Sequence, residues 1–403
     1  MSYKRYRVLY VQKAGGGGTV TALYELLHGM NRELYEPIVL FYKPSHYVEK
    51  FQAYGIQVLV LSDRQPSIAD IVLEKHTTAH LAHYGKWLPS AYRTVHAMWL
   101  VLQVAFLIKQ KGIDLVHHNE NLYQDRFTIA AAWLVGVLQV CHMHSFSPLS
   151  NFEKRLGRSV NAFLLVSTSV KRHYLEQGLP EKKSHIVYNG FDVARFERVS
   201  KEDRARIRAE FQISDSDALL VNAGRFDSWK GQDYFLQAIA QVIPAYPSFK
   251  ALIVGELTDN APRNQAYYEK LQTLVKELDL SKNVIFTGFR NDIPQVMAAA
   301  DVVVHSSSLP EPFGRVIVEG MLAERPVIAT AAGGVLDIIQ DRETGLLVPP
   351  QDATRMAKAI LWLLQNPEDA TRLGKAAKQL AKTRFSIEHQ VETVQQIYQE
   401  ILE

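Results

Sequence analysis

The chain has 403 residues, 47% hydrophobic and 22% charged. That excludes a disordered chain and is too long for one ordinary core, so two domains are expected. The net charge of +3 gives no reason to expect a nucleic-acid partner, but residues 1–195 carry 22 Lys+Arg against 14 Asp+Glu while the rest carry 23 against 28. A basic first half favours an anionic acceptor or an anionic membrane surface. The single cysteine, Cys141, excludes an internal disulfide framework and fits a reducing compartment, so a cytoplasmic location is expected.

The opening MSYKRYRVLYVQ is basic, but its apolar run is only about five residues long and lacks a cleavage site, so it reads as a first strand rather than a signal peptide. Short β-branched runs follow with helical segments between them. In the first half they are 7–11, 37–41, 56–61, 113–118, 138–144, 163–167 and 185–188. In the second half they are 218–223, 249–254, 284–287, 302–305, 327–329 and 346–348. Continuous apolar strands alternating with amphipathic helices predict parallel sheets covered on both faces, hence an α/β fold of two doubly wound, Rossmann-like domains. The break falls after Asn189-Gly190, giving domains at 1–195 and 196–385, with a surface helix over 200–210. Val95–Ile108 is the most apolar stretch but falls short of the roughly 20 residues a bilayer span needs. It reads as a buried helix, with an interfacial membrane contact as the alternative.

Ligands of open parallel sheets sit at the carboxyl ends of strands, and two facing domains would set one cleft between two such edges. The second half places its chemistry there. Asn222-Ala-Gly-Arg-Phe-Asp-Ser-Trp-Lys-Gly231 follows a strand and offers Arg225 and Lys230, a planar fork and a point charge suited to a diphosphate. Glu311-Pro-Phe-Gly-Arg-Val-Ile-Val-Glu319 follows the strand at 302–305, and Phe313-Gly314 opens a helix whose free N–H groups make an anion site. Glu311 and Glu319 bracket it and suit sugar and ribose hydroxyls. The plainer readings are a basic loop and a helix with a solvated Glu at each end.

In the first half, His144 ends a strand, His142 points the same way two residues earlier, and His117 and His118 end the neighbouring strand. A strand-end histidine is often a structural donor. Lys154, Arg155 and Arg158 read as a basic helix that meets an acidic acceptor or lipid, or as a solvated face. Asp215-Ser-Asp217 spells D-x-D but precedes a strand rather than following one, so it reads as a turn. No Cys/His cluster has zinc spacing, and no metal requirement or other cofactor is expected.

Taken together, Gly224-Arg225 through Lys230-Gly231, Gly288-Phe-Arg290, Glu311 through Glu319, Gly333-Gly334 and Thr344-Gly-Leu-Leu-Val-Pro349 resemble the retaining glycosyltransferase family 4, which has the GT-B fold. The glutamates match its E-x7-E spacing. Gly15–Gly18, Val187-Tyr-Asn-Gly-Phe-Asp192 and Phe385-Ser-Ile-Glu resemble its glycine-rich loop, its interdomain turn and the start of its last helix. The resemblance covers nearly the whole chain, weakest between about 45 and 135.

It implies transfer of a sugar from a nucleotide diphosphate, UDP above all, to an acceptor hydroxyl; the basic first half and the apolar helix point to a glycan or lipid-linked acceptor in polysaccharide or glycolipid biosynthesis. Arg225 and Lys230 would neutralise the donor diphosphate. Glu319 would bind the ribose and Glu311 the transferred sugar, with Phe313, Gly314 and Arg315 closing on sugar and phosphate. Arg290 sits where the family places the nucleobase against the backbone. Gly16 and Gly17 would lie across the cleft, near the donor phosphates and the acceptor, and His144 beside the reacting sugar. The last helix, 386–403, would pack back on the first domain. Asp337 departs from the family in standing where many relatives have Glu. Competing expectations are an epimerase or phosphorylase of the same fold, a non-catalytic two-domain sugar-binding protein and, more weakly, a NAD-dependent dehydrogenase, which lacks a convincing G-x-G-x-x-G.

Overall fold

The computed structural model describes residues 4–13, 17–61, 88–214, 216–257 and 262–403. The chain divides into two compact units: Met1–Leu165 with Lys171–Ile186 and Val394–Glu403, and Val166–Val170 with Val187–Thr393. Residues 187–195, expected with the first domain, thus fall in the second unit. Of the last helix, Ile387–Leu402, the stretch from Val394 onward belongs to the first.

In the first unit seven strands form one parallel sheet: β1 Tyr6–Gln12, β2 Tyr35–Phe41, β3 Gln57–Val60, β4 Leu115–His118, β5 Leu138–Met143, β6 Ala162–Leu165 and β7 Ser184–Ile186. Their order is β3-β2-β1-β4-β5-β6-β7. Val8 to Val11 are fully buried, as a central strand covered on both faces requires. The order reverses between β1 and β4, the position at which open α/β sheets bind ligands. Their register runs from Val8↔Leu115 to Val11↔His118, which brings Gln12 and Asn119 to the same carboxyl edge.

The second unit has six strands: β8 Ala218–Ala223, β9 Phe249–Val254, β10 Val284–Gly288, β11 Val302–His305, β12 Val327–Thr330 and β13 Leu346–Val348. The order is β10-β9-β8-β11-β12-β13, with the reversal between β8 and β11. Arg225 and Lys230 follow β8, and Glu311 and Glu319 follow β11. Its core joins sheet residues such as Leu220, Ile253 and Val304 to Phe235, Ile239 and Ile360 of the covering helices.

One expectation is corrected. The stretch Val95–Ile108 is helical, within Leu88–Lys111, but it is not buried all round. Leu100, Val104, Ala105 and Ile108 enter the core, whereas Val95, Met98, Trp99, Leu102 and Phe106 are exposed. Apolar composition alone does not reveal which faces of a helix find partners. The helix expected at 200–210 runs Lys201–Glu210, with Ser200 and Asp203 forming a capping box.

Candidate active site

Lys230 ends a single 3-10 turn, Ser228–Lys230, and Gly231 caps the helix Gln232–Val242 with a left-handed φ of 66°. A Cβ at Gly231 would stand 2.1 Å from Ser306 O, so only glycine lets this loop approach the end of β11. Two further bonds fasten it there: Ser306 Oγ donates to Lys230 O at 2.9 Å, and Ser308 N donates to Trp229 O at 2.8 Å. The Lys230 stem lies along Gly224, and its ammonium lies 4.1 Å from the centroid of the Trp229 ring.

That ammonium donates to Glu311 Oε2 at 2.8 Å and Oε1 at 3.1 Å. Oε2 also accepts from Ser307 Oγ at 2.9 Å and lies 3.2 Å from His305 Nε2. Thr330 Oγ1 lies 3.3 Å from His305 Nδ1. Both ring nitrogens of His305 therefore have a polar neighbour. Burial pushes the Glu311 carboxyl up, but Lys230 and His305 outweigh it and hold the group well below the usual carboxylate range. The result is an ionised, acceptor-only group whose Oε1 has one partner and Oε2 three.

The backbone beside Glu311 depends on two glycines. Gly334 N donates to Glu311 O at 2.7 Å. A Cβ on Gly333, whose φ is 73°, would lie 2.2 Å from the same oxygen, and one on Gly334 would lie 2.4 Å from Pro312 O. The helix Arg315–Leu322 then starts from Gly314, φ 112°. Phe313 is buried against Phe191, Tyr188 and Phe385. Arg315 lies over the Phe191 ring and 3.9 Å from Glu319, one turn on.

Arg225 and Arg290 fare differently. Arg225 is exposed, with its carbonyl fixed by Gln232 Nε2 at 2.9 Å. Arg290 is bound by Glu210 and, at 2.6 Å, by Asp292. These bonds raise its already high pKa and commit the guanidinium to an ion pair apart from the Lys230–Glu311 cluster.

In the first unit, Gly17 has a φ of 92° and caps the helix Gly18–Gly29; Gly16 lies outside the described residues. His144 follows β5, its ring is tilted 35° to that of His142 at 4.2 Å between centroids, and its Nε2 lies 3.2 Å from Asn119 Oδ1. Asn119 Nδ2 donates to Gln12 Oε1 at 2.6 Å and Thr19 O at 3.1 Å, while Gln12 Nε2 donates to Glu120 Oε1 at 2.5 Å. His117 and His118 are bound within the first unit. His117 Nδ1 meets the Tyr398 hydroxyl at 2.5 Å, and His118 meets Thr128 and Gln139, each at 3.0 Å. Burial drives the pKa of both down, that of His118 to about 4.

Residues 16–195 match the family described as Glycosyltransferase Family 4, and residues 203–380 the one described as Glycosyl transferases group 1. The chain belongs to the family 4 glycosyltransferases. Two relatives carry related names. EpsD of Bacillus subtilis (strain 168), a glycosyltransferase by name, is 33% identical over 209 residues, 52% of each chain, so the match spans about half of that relative's length. The N-acetyl-alpha-D-glucosaminyl L-malate synthase of Bacillus anthracis is 29% identical over 75% of this chain and 79% of its own. The crystal structure of Anabaena HepE with UDP and glucose superposes with a TM-score of 0.81 at 23% identity, covering 98% of this glycosyltransferase and 100% of HepE. That likeness shows the shared fold, GT-B.

Four polar residues at these edges escaped the sequence reading of this glycosyltransferase: His305, Ser307, Asn119 and Glu120. Each stands at or just beyond the end of β11 or β4, and that position is the signal that would have found them. Asp337, the family departure, accepts from Thr168 N at 2.6 Å, while its carbonyl accepts from Arg384 Nη1 at 2.9 Å. Asp217 of the D-x-D accepts from Ser214 N at 3.1 Å, closing a turn before β8; Asp215 lies outside the described residues. Among the described residues, no group of three or more His, Cys, Asp or Glu is placed to hold a metal, and no helix is long and apolar enough to cross a membrane.

Proposed function

We propose that this glycosyltransferase takes its sugar from a nucleoside diphosphate sugar, a UDP-sugar first among candidates, and transfers it with retention to a hydroxyl of a glycan or lipid-linked acceptor. The observation that carries the reading is the part-buried Lys230–Glu311 pair near the helix start at Gly314. A cation and a helix N-terminus at one carboxyl edge of the sheet suit a diphosphate, and an ionised carboxylate with an under-used oxygen suits a sugar hydroxyl. Anabaena HepE has been crystallised with UDP and with UDP-glucose, and a Nocardioides relative bears the name D-inositol 3-phosphate glycosyltransferase. These names support the donor and leave the acceptor to experiment.

Arg225 and Lys230 neutralise the diphosphate, so no metal is needed. Glu319 holds the ribose, Arg290 presents its backbone to the base, and Phe313, Gly314 and Arg315 enclose sugar and phosphate. Gly16 and Gly17 approach the phosphates and the acceptor from the first unit, and His144 belongs to the acceptor side. In the front-face path the bond from the anomeric carbon to the phosphate oxygen breaks as the bond to the acceptor oxygen forms. The acceptor proton passes to the departing diphosphate. Catalysis then consists of stabilising the developing diphosphate charge and an oxocarbenium-like sugar.

A release screen of nucleotide sugars with acceptor panels, followed by NMR of the product anomer, tests this. Acceptor-dependent nucleotide release with retained configuration is expected; an inverted product would remove the front-face path.

A further inference from the structure

We propose that the first unit docks on an anionic lipid bilayer through the layer formed by the helices Leu88–Lys111, Arg126–Val135 and Asn151–Gly157. These helices connect β3 to β4, β4 to β5 and β5 to β6, and right-handed crossovers put all three on one face of the sheet. The first two pack against each other and the second touches the third.

Two observations point to this partner. The first is an apolar stripe at helical spacing, Val95, Met98, Trp99, Leu102 and Phe106, with Val95 and Phe106 each 66% exposed. Trp133 and Leu134 of the next helix and Phe152 of the third are exposed as well. A water-facing patch of this kind marks an interaction surface, and tryptophans suit the boundary between headgroups and acyl chains.

The second is charge. No Asp or Glu occurs between Glu74 and Asp114, and Arg126–Val135 has none. The one acid of the third helix, Glu153, is buried and accepts from Ser150 N at 2.9 Å. Lys109, Lys154 and Arg155 on these helices, and Arg158 just after the third, are exposed. An apolar stripe flanked by unopposed cations fits anionic headgroups over an acyl boundary. A second copy of the chain would set these cations against themselves.

The surface does not depend on the donor reading, because no residue in it was placed at either strand edge. Purified full chain is sedimented with phosphatidylcholine vesicles and with equimolar phosphatidylcholine–phosphatidylglycerol vesicles. Strong binding to the anionic vesicles alone is expected. Leu102→Ser/Phe106→Ser should lower the partition at least about tenfold. Lys154→Glu/Arg155→Glu/Arg158→Glu should lower it by roughly fivefold per cation or more. Nucleotide-sugar binding in solution should stay unchanged in both, which also shows that they fold. Three results would overturn the proposal: wild type that does not sediment with anionic vesicles, variants that bind like wild type, or a dimer by light scattering that Leu102→Ser/Phe106→Ser dissociates.

Discussion

Lys230 and Glu311, 81 residues apart, are bound to each other through both carboxylate oxygens, at 2.8 and 3.1 Å. Before any ligand arrives, the principal cation of the β8 edge is already neutralised by the principal anion of the β11 edge. In the function proposed above, an incoming diphosphate would share Lys230 with Glu311 while a sugar hydroxyl would take up Glu311 Oε1, so that both halves of the donor meet one pair.

Breaking such a pair from one side leaves an uncompensated buried charge, at a cost on the order of 3 kcal/mol. Lys230→Ala is therefore expected to lower both Tm and kcat/KM, the latter by about 10²–10³. Lys230→Ala/Glu311→Gln should recover most of the Tm and none of the turnover, as read by thermal unfolding and nucleotide release. Recovery of both would make the pair purely structural.

Gly333 and Gly55 share a φ of 73°, but a Cβ would meet Glu311 O at 2.2 Å at Gly333 and nothing within 4 Å at Gly55. Gly55→Ala should cost only the left-handed backbone strain, about 1 kcal/mol. Gly333→Ala should cost on the order of 3 kcal/mol and weaken nucleotide-sugar binding, because Glu311 must move. Denaturant unfolding and donor titration check both; equal costs would show that the turn at Glu311 is not tight.

His118 is buried neutral, its pKa driven from 6.5 down to about 4. Below pH 6.5 the unfolded chain binds a proton that the folded chain refuses. This contribution to stability is therefore complete above about 6.5 and is lost as pH falls to about 4, some 3 kcal/mol at 1.36 kcal/mol per unit. Unfolding measured across that window should show a flatter pH dependence in His118→Gln than in wild type. Identical slopes would contradict a buried neutral imidazole.

Asn119 fixes His144 Nε2 at 3.2 Å. If His144 orients the reacting groups, His144→Ala should lower kcat by roughly tenfold or more and leave nucleotide binding unchanged, with Asn119→Ala following in the same direction. A loss confined to donor affinity would move His144 out of the acceptor side.

The architecture was legible because parallel strands buried on both faces read as short continuous apolar runs. The runs at 218–223 and 302–305 coincide with β8 and β11, and Gly314 opens its helix where expected. The boundary at 195 was less legible, since residues 187–195 pack by tertiary contacts such as Phe191 on Phe313. His305 and Ser307 were missed because their role depends on Glu311 folding back over the end of β11, which spacing does not encode. The exposed half of Leu88–Lys111 was missed for a related reason: composition records how apolar a helix is, not how much of it the sheet covers.

Titration of a nucleoside diphosphate, UDP first, into wild type, Lys230→Ala and Glu319→Ala tests the central claim most directly. Saturable binding by wild type, weakened at least about tenfold in each variant by loss of a charged contact, is expected. A wild type that binds no nucleoside diphosphate, or variants that bind as tightly as it does, would contradict the assignment of the β8–β11 edge as the donor site.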